Sequence, residues 1–231
     1  MPISDITRDE ATWSKSAWVV IEALSKDSQS LKNNWCVPPE AARFLYLLTR
    51  ISGALSIVEV GTSIGFSTLH MALGIAENLS ESNDPSAIEK ASLITIDASK
   101  ERQDIAKNYF DKSGLLNLIQ TETGPALDIL ANNQAQWQNK LDLAFIDARK
   151  DEYLQYAELL HSCLKPGGLL VADNTQSHRE EMKPFIDRFM VEDRQAHSAH
   201  QRWESCELDT PNGLIIARKQ SRHSGNRPIL A

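Results

Sequence analysis

Short apolar runs alternate with longer segments of mixed polarity along most of this chain. The runs are rich in Ile, Leu and Val and are mostly apolar on both faces, as parallel strands buried between helix layers are. They predict strands over residues 56–60, 92–97, 117–122, 141–147 and 167–173.

Helical periodicity fills the intervals between these strands. Segment 99–114 opens on Ser99 and closes on Gly114, typical first and last residues of a helix, and segment 151–168 ends in Pro and Gly. Between the first two strands, apolar residues recur at steps of three and four, at Leu69, Ala72, Leu73, Ala76 and Leu79. Alternating strands and helices indicate right-handed crossovers and a parallel sheet, an α/β fold with three layers.

Outside this alternating region the pattern changes. Segment 38–52 has prolines near its start and predicts a helix, whereas the polar segment 77–90 predicts a surface loop. Near the C-terminus, segments 196–208 and 213–219 predict an antiparallel hairpin at the sheet edge, with turn residues at 211–213.

We therefore expect three parts in the chain. Residues 1–52 form a helical segment that packs on the core and can cap the site, residues 53–219 form the core domain, and residues 220–231 form a flexible tail.

Composition narrows the class of protein. The 231 residues are 42% hydrophobic and 24% charged, which fits one large globular domain. A net charge of −7 argues against nucleic acid and anionic membranes as partners. The three cysteines show no C-x-x-C spacing, and neither a signal peptide nor a membrane-spanning run is visible. We expect a cytoplasmic protein with no membrane or nucleic-acid partner.

A glycine turn joins the first strand to its helix in "IVEVGTSIGFST", with Gly61, Gly65 and a nearby hydroxyl at Ser67. Such a turn lets a ligand approach the backbone at a helix N-terminus. It lacks the Lys-Ser/Thr of a phosphate-binding loop. Alone, it fits a structural role as well as a functional one. Asp97 ends the second strand and can accept hydrogen bonds from ribose hydroxyls; the alternative is a helix cap, a role that Ser99 already fits.

Asp173 and Asn174 end the last apolar run side by side. Asp and Asn are common turn residues because they bond their own backbone, so this pair alone favours a turn. The alternative is that both oxygens face a ligand or a cation.

Five motifs occur in order: "VEVGTSIGFST", "ITIDASKE", "TGPALDIL", "LAFIDARKDEYLQY" and "LKPGGLLVADNT". Over residues 35–219 the chain resembles the cation-dependent O-methyltransferases of the caffeoyl-CoA and catechol type, within the class I S-adenosylmethionine-dependent methyltransferases. The resemblance implies a doubly wound, mostly parallel, Rossmann-like sheet of seven strands with a C-terminal antiparallel hairpin.

The resemblance also implies a site for S-adenosylmethionine. In it, Ser67 contacts the methionine carboxylate, Asp97 holds the ribose and Ala126 lines the adenine pocket. The full implied set is Glu59, Gly61, Thr62, Gly65, Ser67, Asp97, Ala126 and Asp147.

The same resemblance implies a metal site made by Asp147, Asp173 and Asn174. Carboxylate and amide oxygens suit Mg²⁺, with Ca²⁺ or Mn²⁺ as alternatives, better than Zn²⁺. Asp147 and Asp173 end neighbouring strands, so a parallel sheet places them at one edge. A cation there lowers the pKa of a bound hydroxyl and makes it a better nucleophile.

Lys150, three residues after Asp147, matches the lysine that acts as general base in the family; both residues are candidate catalytic groups. The alternative is that Lys150 is a solvated charge paired with Asp151 or Glu152. Arg149 is either a surface charge or a substrate contact.

The chain departs from plant relatives after Asn174, where it reads "TQSHREEMKPF". His178 in this segment is either a substrate contact or a loop residue. The leading hypothesis is an enzyme that methylates a small phenol with vicinal hydroxyls, acting as a homodimer as the family does. The alternatives are a metal-independent methyltransferase and an NAD-binding protein of Rossmann type.

Overall fold

A computed structural model describes residues 10–30, 36–189 and 203–220. At its centre is a seven-stranded sheet with the order β3-β2-β1-β4-β5-β7-β6. The strands are β1 (Ser56–Val60), β2 (Ser92–Asp97), β3 (Ile119–Thr123), β4 (Leu141–Ile146), β5 (Leu164–Asp173), β6 (Trp203–Leu208) and β7 (Leu214–Lys219).

Eight α-helices accompany the sheet within the described residues. They are α1 (Glu10–Ser30), α2 (Pro39–Ser52), α3 (Phe66–Glu81), α4 (Ala87–Lys90), α5 (Lys100–Ser113), α6 (Ala126–Trp137), α7 (Tyr153–Cys163) and α8 (Lys183–Phe189). None of the described helices is long and apolar enough to cross a membrane.

The first five strands pair in parallel, and β7 pairs antiparallel to both β5 and β6. This confirms the predicted doubly wound, mostly parallel sheet with an antiparallel hairpin at its C-terminal end. The order reverses at β1, which lies between β2 and β4. Ligands bind at such a reversal, outside the carboxyl ends of the strands.

Strand boundaries differ from the prediction where neighbouring structure competes for residues. β3 begins at Ile119 because a short 3-10 helix takes Leu116–Leu118. β5 begins at Leu164, earlier than predicted, because Leu141 of β4 pairs with it before a register shift. The first hairpin strand is described from Trp203; residues 196–202 of that prediction lie outside the described chain.

Two apolar layers cover the faces of the sheet. Along each strand successive side chains point to opposite faces, so Ile57 packs against the layer that contains α2, α3 and α5 while Val58 packs against the layer of α6, α7 and α8. The core therefore leaves the ends of the strands, and not their faces, open to a ligand.

The N-terminal helix α1 packs on the core through α3 and α5. Ser14 donates to Glu77 of α3 at 2.9 Å, and the Trp18 ring meets the edge of His70 with centroids 5.7 Å apart. Tyr109 of α5 donates to Asp27 at 2.5 Å. That this segment also caps the site stays a prediction.

Segment 77–90 is a surface loop only over residues 82–86, and the prediction was wrong for the rest of it. Helix α3 continues to Glu81, and α4 occupies Ala87–Lys90. The polar residues find partners: Asn78 donates to the carbonyls of Thr49 and Ala54, both at 3.0 Å. The sequence pattern does not reveal partners so distant along the chain.

Candidate active site

The glycine turn brings the end of β1 against the end of β4. Gly61 has φ 110°, and a Cβ built on it would lie 2.0 Å from the carbonyl oxygen of Asp147. The amide of Asp147 in turn donates to the carbonyl of Val60 at 2.8 Å. Only glycine fits this approach, so Gly61 fixes where Asp147 leaves the sheet.

Gly65 ends the same turn, immediately before α3. It has φ 89°, and a Cβ there would lie 2.4 Å from the ring of Phe110 on α5. Between the two glycines, Ser63 adopts φ 46°, a left-handed conformation that is uncommon outside glycine. The backbone N–H of Ser63 donates to Asp97 Oδ2 at 2.8 Å. The turn is therefore tied to the end of β2.

Asp97 lies where the sequence placed it, at the end of β2 beside the turn. Its Oδ1 atom accepts the backbone N–H of Ser99 at 2.7 Å, and the Ser99 hydroxyl caps α5 by accepting the N–H of Arg102 at 3.3 Å. The backbone carbonyl of Asp97 accepts the N–H of Gly124 at 3.0 Å, which brings the start of α6, with Ala126, close to the end of β2. Asp97 thus organises two loops, and its contact with a ribose stays a prediction.

Glu59 lies inside the fold, at 0% exposure. Its carboxylate accepts from the hydroxyls of Ser67 at 2.5 Å and Thr95 at 2.6 Å, and also from that of Thr68. Burial raises the pKa of Glu59 to about 7, against the opposing effect of these three donors. The Thr62 hydroxyl also turns inward, 2.7 Å from Thr95 Oγ1. The cofactor contacts expected of Glu59, Thr62 and Ser67 stay predictions.

Asp147 and Asp173 follow paired residues of β4 and β5, since Ile146 is in register with Ala172. Asp173 is 1% exposed, and its Oδ1 atom is buried without a hydrogen-bond partner among the described residues. Burial, and then the charge of Asp147, raise the pKa of Asp173 to about 6. An unpaired buried carboxylate oxygen beside a second carboxylate is the arrangement that a cation relieves.

Asn174 completes this edge. It has φ 69°, and its Nδ2 donates to Asp173 Oδ2 over 3.4 Å. No group of three or more His, Cys, Asp or Glu able to hold a metal occurs in the described parts of the chain. The candidate set here is two carboxylates and one amide, and it suits a hard cation that also takes water or substrate oxygens.

Lys150 points into the site and not toward Asp151 or Glu152. Its Nζ donates to Asp147 Oδ1 at 2.9 Å and to the hydroxyl of Tyr153 at 3.0 Å. The outward pairing belongs to the neighbouring residue, because Arg149 bonds Asp151 at 2.7 Å. Arg149 is therefore the surface charge of this segment.

Several residues of this site were not predicted from the sequence. Tyr153 is fully buried at the start of α7, and burial raises its pKa well above the ordinary value. Gln103 and Thr95 are also fully buried. The helical spacing of Gln103 with Ala106 and Phe110 carried a signal, because it places Gln103 on the apolar face of α5. Thr95 in an apolar strand gave none.

The segment after Asn174 is fastened to the C-terminal hairpin. Thr175 donates to Glu207 of β6 at 2.7 Å, and the backbone N–H of Gln176 donates to the carbonyl of Asn212 at 2.8 Å. His178 is exposed, and its N–H donates to the carbonyl of Asn174 at 3.0 Å. The hairpin therefore shapes the chain next to the candidate metal ligands.

Known proteins resemble this chain in sequence. The model of a family described as O-methyltransferase matches residues 12–220. Caffeoyl-CoA O-methyltransferase 2 of Zea mays is 28% identical over 192 residues, which cover 78% of this chain and 68% of that protein. Catechol O-methyltransferase of Niastella koreensis is 33% identical over 138 residues, which cover 60% of this chain and 57% of that protein.

A solved structure shares the fold. The O-methyltransferase from Bacillus cereus, in complex with SAH, matches with a TM-score of 0.70 and 24% identity over 87% of this chain and 91% of that one. Together with the site geometry, the family match over residues 12–220 leads to one conclusion: the chain belongs to the O-methyltransferase family, and its sequence relatives include enzymes of the caffeoyl-CoA and catechol type.

Proposed function

We propose that this protein transfers a methyl group from S-adenosylmethionine to one hydroxyl of a small phenol with vicinal hydroxyls, and that it needs a divalent cation to do so. The observation that carries the cation is the unpartnered Asp173 Oδ1, buried beside the carboxylate of Asp147. The relatives named for caffeoyl-CoA and catechol support a phenolic acceptor.

Asp147, Asp173 and Asn174 are the residues that would hold the cation, with Mg²⁺ the first choice and Ca²⁺ or Mn²⁺ the alternatives. A bound divalent cation would bring positive charge to the acceptor oxygen, which favours the deprotonated hydroxyl. These residues fit that role because their oxygens are hard ligands and Asp173 Oδ1 has no hydrogen-bond partner in the part of the chain that the structure describes.

Lys150 would take the proton of the acceptor hydroxyl at its Nζ atom, as the general base. S-adenosylmethionine, when bound, would supply the methyl group to the acceptor oxygen, and the electron pair of the broken carbon–sulfur bond would stay on its sulfur. Asp147 and Tyr153 hold the Lys150 amine in place. Fixed placement of the reacting groups supplies much of the rate in such a transfer.

The glycine turn and Asp97 would hold the cofactor. Gly61 and Gly65 leave room for close approach to the backbone, and the Asp97 carboxylate lies beside the turn and next to the start of α6. Ala126 at that start would face the adenine. This arrangement supports the cofactor site that the resemblance implies.

The acceptor would bind between the cation ligands and the segment 175–182. Because this segment departs from that of the plant relatives and is tied to Glu207 and Asn212, we expect a substrate of different shape from a phenylpropanoid-CoA.

Chelation tests the proposal. With a panel of catechols and S-adenosylmethionine, we expect EDTA to abolish activity and Mg²⁺ to restore it. Asp173→Asn, which keeps the shape and removes the charge, should lower kcat at least about 100-fold. Asp151→Asn is the control, since Asp151 lies in the same region but its side chain bonds the exposed Arg149.

Full activity in EDTA, together with unchanged activity of Asp173→Asn, would favour the metal-independent alternative. Calorimetric titration with S-adenosylhomocysteine and with NAD addresses the dinucleotide-binding alternative, which family membership does not favour. Binding of NAD alone would overturn the proposal.

We further propose that the enzyme is a cytoplasmic homodimer with no nucleic-acid partner. The dimer rests on the resemblance, and the location on the three free cysteines at positions 36, 163 and 206. The net charge of −7 disfavours nucleic acid. Light scattering that gives the mass of one chain would contradict the dimer.

A further inference from the structure

Gln103 is a fully buried amide on the face of α5 that meets the sheet. Its neighbours on that face, Ala106 and Phe110, are apolar. A buried amide is destabilising unless its donors and its acceptor are satisfied. Gln103 therefore needs hydrogen-bond partners for its amide, and the segments that supply them are held together by it.

The amide joins three separate segments. The two protons on its Nε2 are shared among three acceptors, the carbonyl of Glu122 at 2.9 Å, Thr62 Oγ1 at 3.3 Å and the carbonyl of Thr95 at 3.4 Å. Its Oε1 accepts from the hydroxyl of Thr123. Thr62 belongs to the glycine turn, Thr95 to β2, and Glu122 and Thr123 to the end of β3.

These bonds have a fixed direction. When Glu59 is ionised, Thr95 gives its single hydroxyl proton to Glu59 Oε2 at 2.6 Å, so Thr62 donates to Thr95 across their 2.7 Å contact. The Thr62 hydroxyl then has no proton left and can only accept from Gln103. A donor is therefore required at the amide nitrogen and an acceptor at the amide oxygen, which an apolar side chain cannot provide.

The three segments are the ones from which the cofactor site is built. The turn that contains Thr62 holds Gly61 and Gly65, β2 ends at Asp97, and β3 leads through Gly124 to Ala126. Each contains or leads into a strand-to-helix connection, and the amide of Gln103 lies behind them, inside the protein. We propose that Gln103 is a positioning residue that fixes these three connections relative to one another for cofactor binding.

This inference rests on the proposed function, because it needs the cofactor to bind at these connections. In this role Gln103 does not contact the cofactor itself. Loss of its bonds leaves the Thr62 hydroxyl and the Glu122 carbonyl without their donor, and buried groups without partners draw in water or shift. The three connections would then sample other conformations. The affinity for the cofactor would fall in proportion to the fraction of molecules that keep the binding-competent conformation.

Gln103→Met tests the inference, because methionine keeps the unbranched shape and removes every hydrogen bond. Calorimetric titration with S-adenosylhomocysteine should give a Kd about tenfold weaker than that of the natural chain. In assays, the KM for S-adenosylmethionine should rise by a similar factor, while the KM for the phenolic acceptor stays unchanged. Thr62→Val, which removes the acceptor in the turn, should weaken binding in the same direction.

Asn78→Leu is the matched control. Asn78 is also an amide on a helix that donates to two carbonyls, but these belong to Thr49 and Ala54, at the opposite end of the sheet. This variant should lower Tm and leave the Kd for S-adenosylhomocysteine unchanged. If Gln103→Met does not fold, Thr123→Val removes one bond of the amide and should still weaken binding.

A Gln103→Met protein, or failing that a Thr123→Val protein, that binds S-adenosylhomocysteine as tightly as the natural chain would overturn the inference. Equal weakening in Asn78→Leu would also overturn it, since general destabilisation would then explain the effect. If the natural chain itself does not bind S-adenosylhomocysteine, the proposed function fails at an earlier step. The two failures are therefore distinguishable in one titration series.

Discussion

At the scale of single residues, adjacent residues of similar chemistry have different partners around the candidate site. Arg149 and Lys150 are adjacent basic residues. Arg149 bonds Asp151 at the surface, whereas Lys150 turns inward to Asp147 and Tyr153. The sequence of the segment does not show which of the two basic residues faces the site, whereas their hydrogen bonds do.

This pair provides a matched test of the general base. Lys150→Met should lower kcat about 100-fold or more, because general bases contribute on that order. Arg149→Met should leave kcat close to that of the natural chain. The two rates are measured with saturating S-adenosylmethionine and a catechol. Equal loss in both variants, or none in Lys150→Met, would contradict the assignment of Lys150.

Gly61 is the residue whose replacement should damage the fold most directly. In Gly61→Ala the new Cβ would meet the Asp147 carbonyl, and φ 110° is strained for alanine. We expect a loss of about 3 kcal/mol or more in the free energy of unfolding, from overpacking and backbone strain together. Urea denaturation measures it.

Gly53→Ala serves as the control for Gly61→Ala. Gly53 has φ 64° at the end of α2, and a Cβ there would meet nothing within 4 Å. Only the backbone strain of alanine at this φ remains, and it should lower the free energy of unfolding by about 1 kcal/mol. Equal losses in the two variants would mean that the approach to Asp147 contributes nothing.

At the scale of elements, the packing of α1 on α3 centres on a buried histidine. His70 is 3% exposed, its Nδ1–H donates to the carbonyl of Phe66 at 2.8 Å, and the ring of Trp18 on α1 meets its edge. Burial lowers the pKa of His70 to about 4, with a smaller contribution from the charge of Arg43 on α2. The imidazole is therefore neutral in the folded protein at neutral pH.

This packing predicts a pH-dependent stability. The unfolded chain binds a proton at His70 below about pH 6.5, but the folded chain does so only near pH 4. The free energy of unfolding should therefore fall as the pH is lowered between these values, by on the order of 3 kcal/mol from His70. Urea denaturation of the natural chain and of His70→Gln measures the difference at each pH.

The comparison between variants is needed because other buried groups titrate in the same range. The raised pKa of Glu59 acts in the opposite direction, since it lowers stability as the pH rises from about 4.5 to about 7. His178→Gln, at an exposed histidine, should keep the pH profile of the natural chain. A His70→Gln profile parallel to the natural one would show that His70 does not control this packing.

At the scale of the whole molecule, the sequence predicted the sheet well because apolar strands between two helix layers leave a strong pattern. β1 and β2 have the predicted bounds, and the hairpin is at the predicted edge. Residues 77–81 were mistaken for part of a loop because polar side chains among them bond α1 and α2, and partners distant in the chain leave no local signal.

The candidate site, too, could be predicted from the sequence only in part. The ends of parallel strands are readable, so Asp97, Asp147 and Asp173 are found at the predicted edge. The side chains behind that edge are not readable from the strand pattern. Thr95 and Tyr153 look like ordinary core residues until their hydrogen bonds are known.

The attachment of segment 175–182 to the hairpin has a consequence for how such an enzyme can change. The expected cofactor contacts come mainly from the first half of the chain, whereas the segment beside the expected acceptor is fastened to Glu207 and Asn212 near its end. New acceptor preferences could therefore be acquired, or engineered, by exchanging the last third of the chain. A graft of the segment without its hairpin would lose the bonds that give it shape.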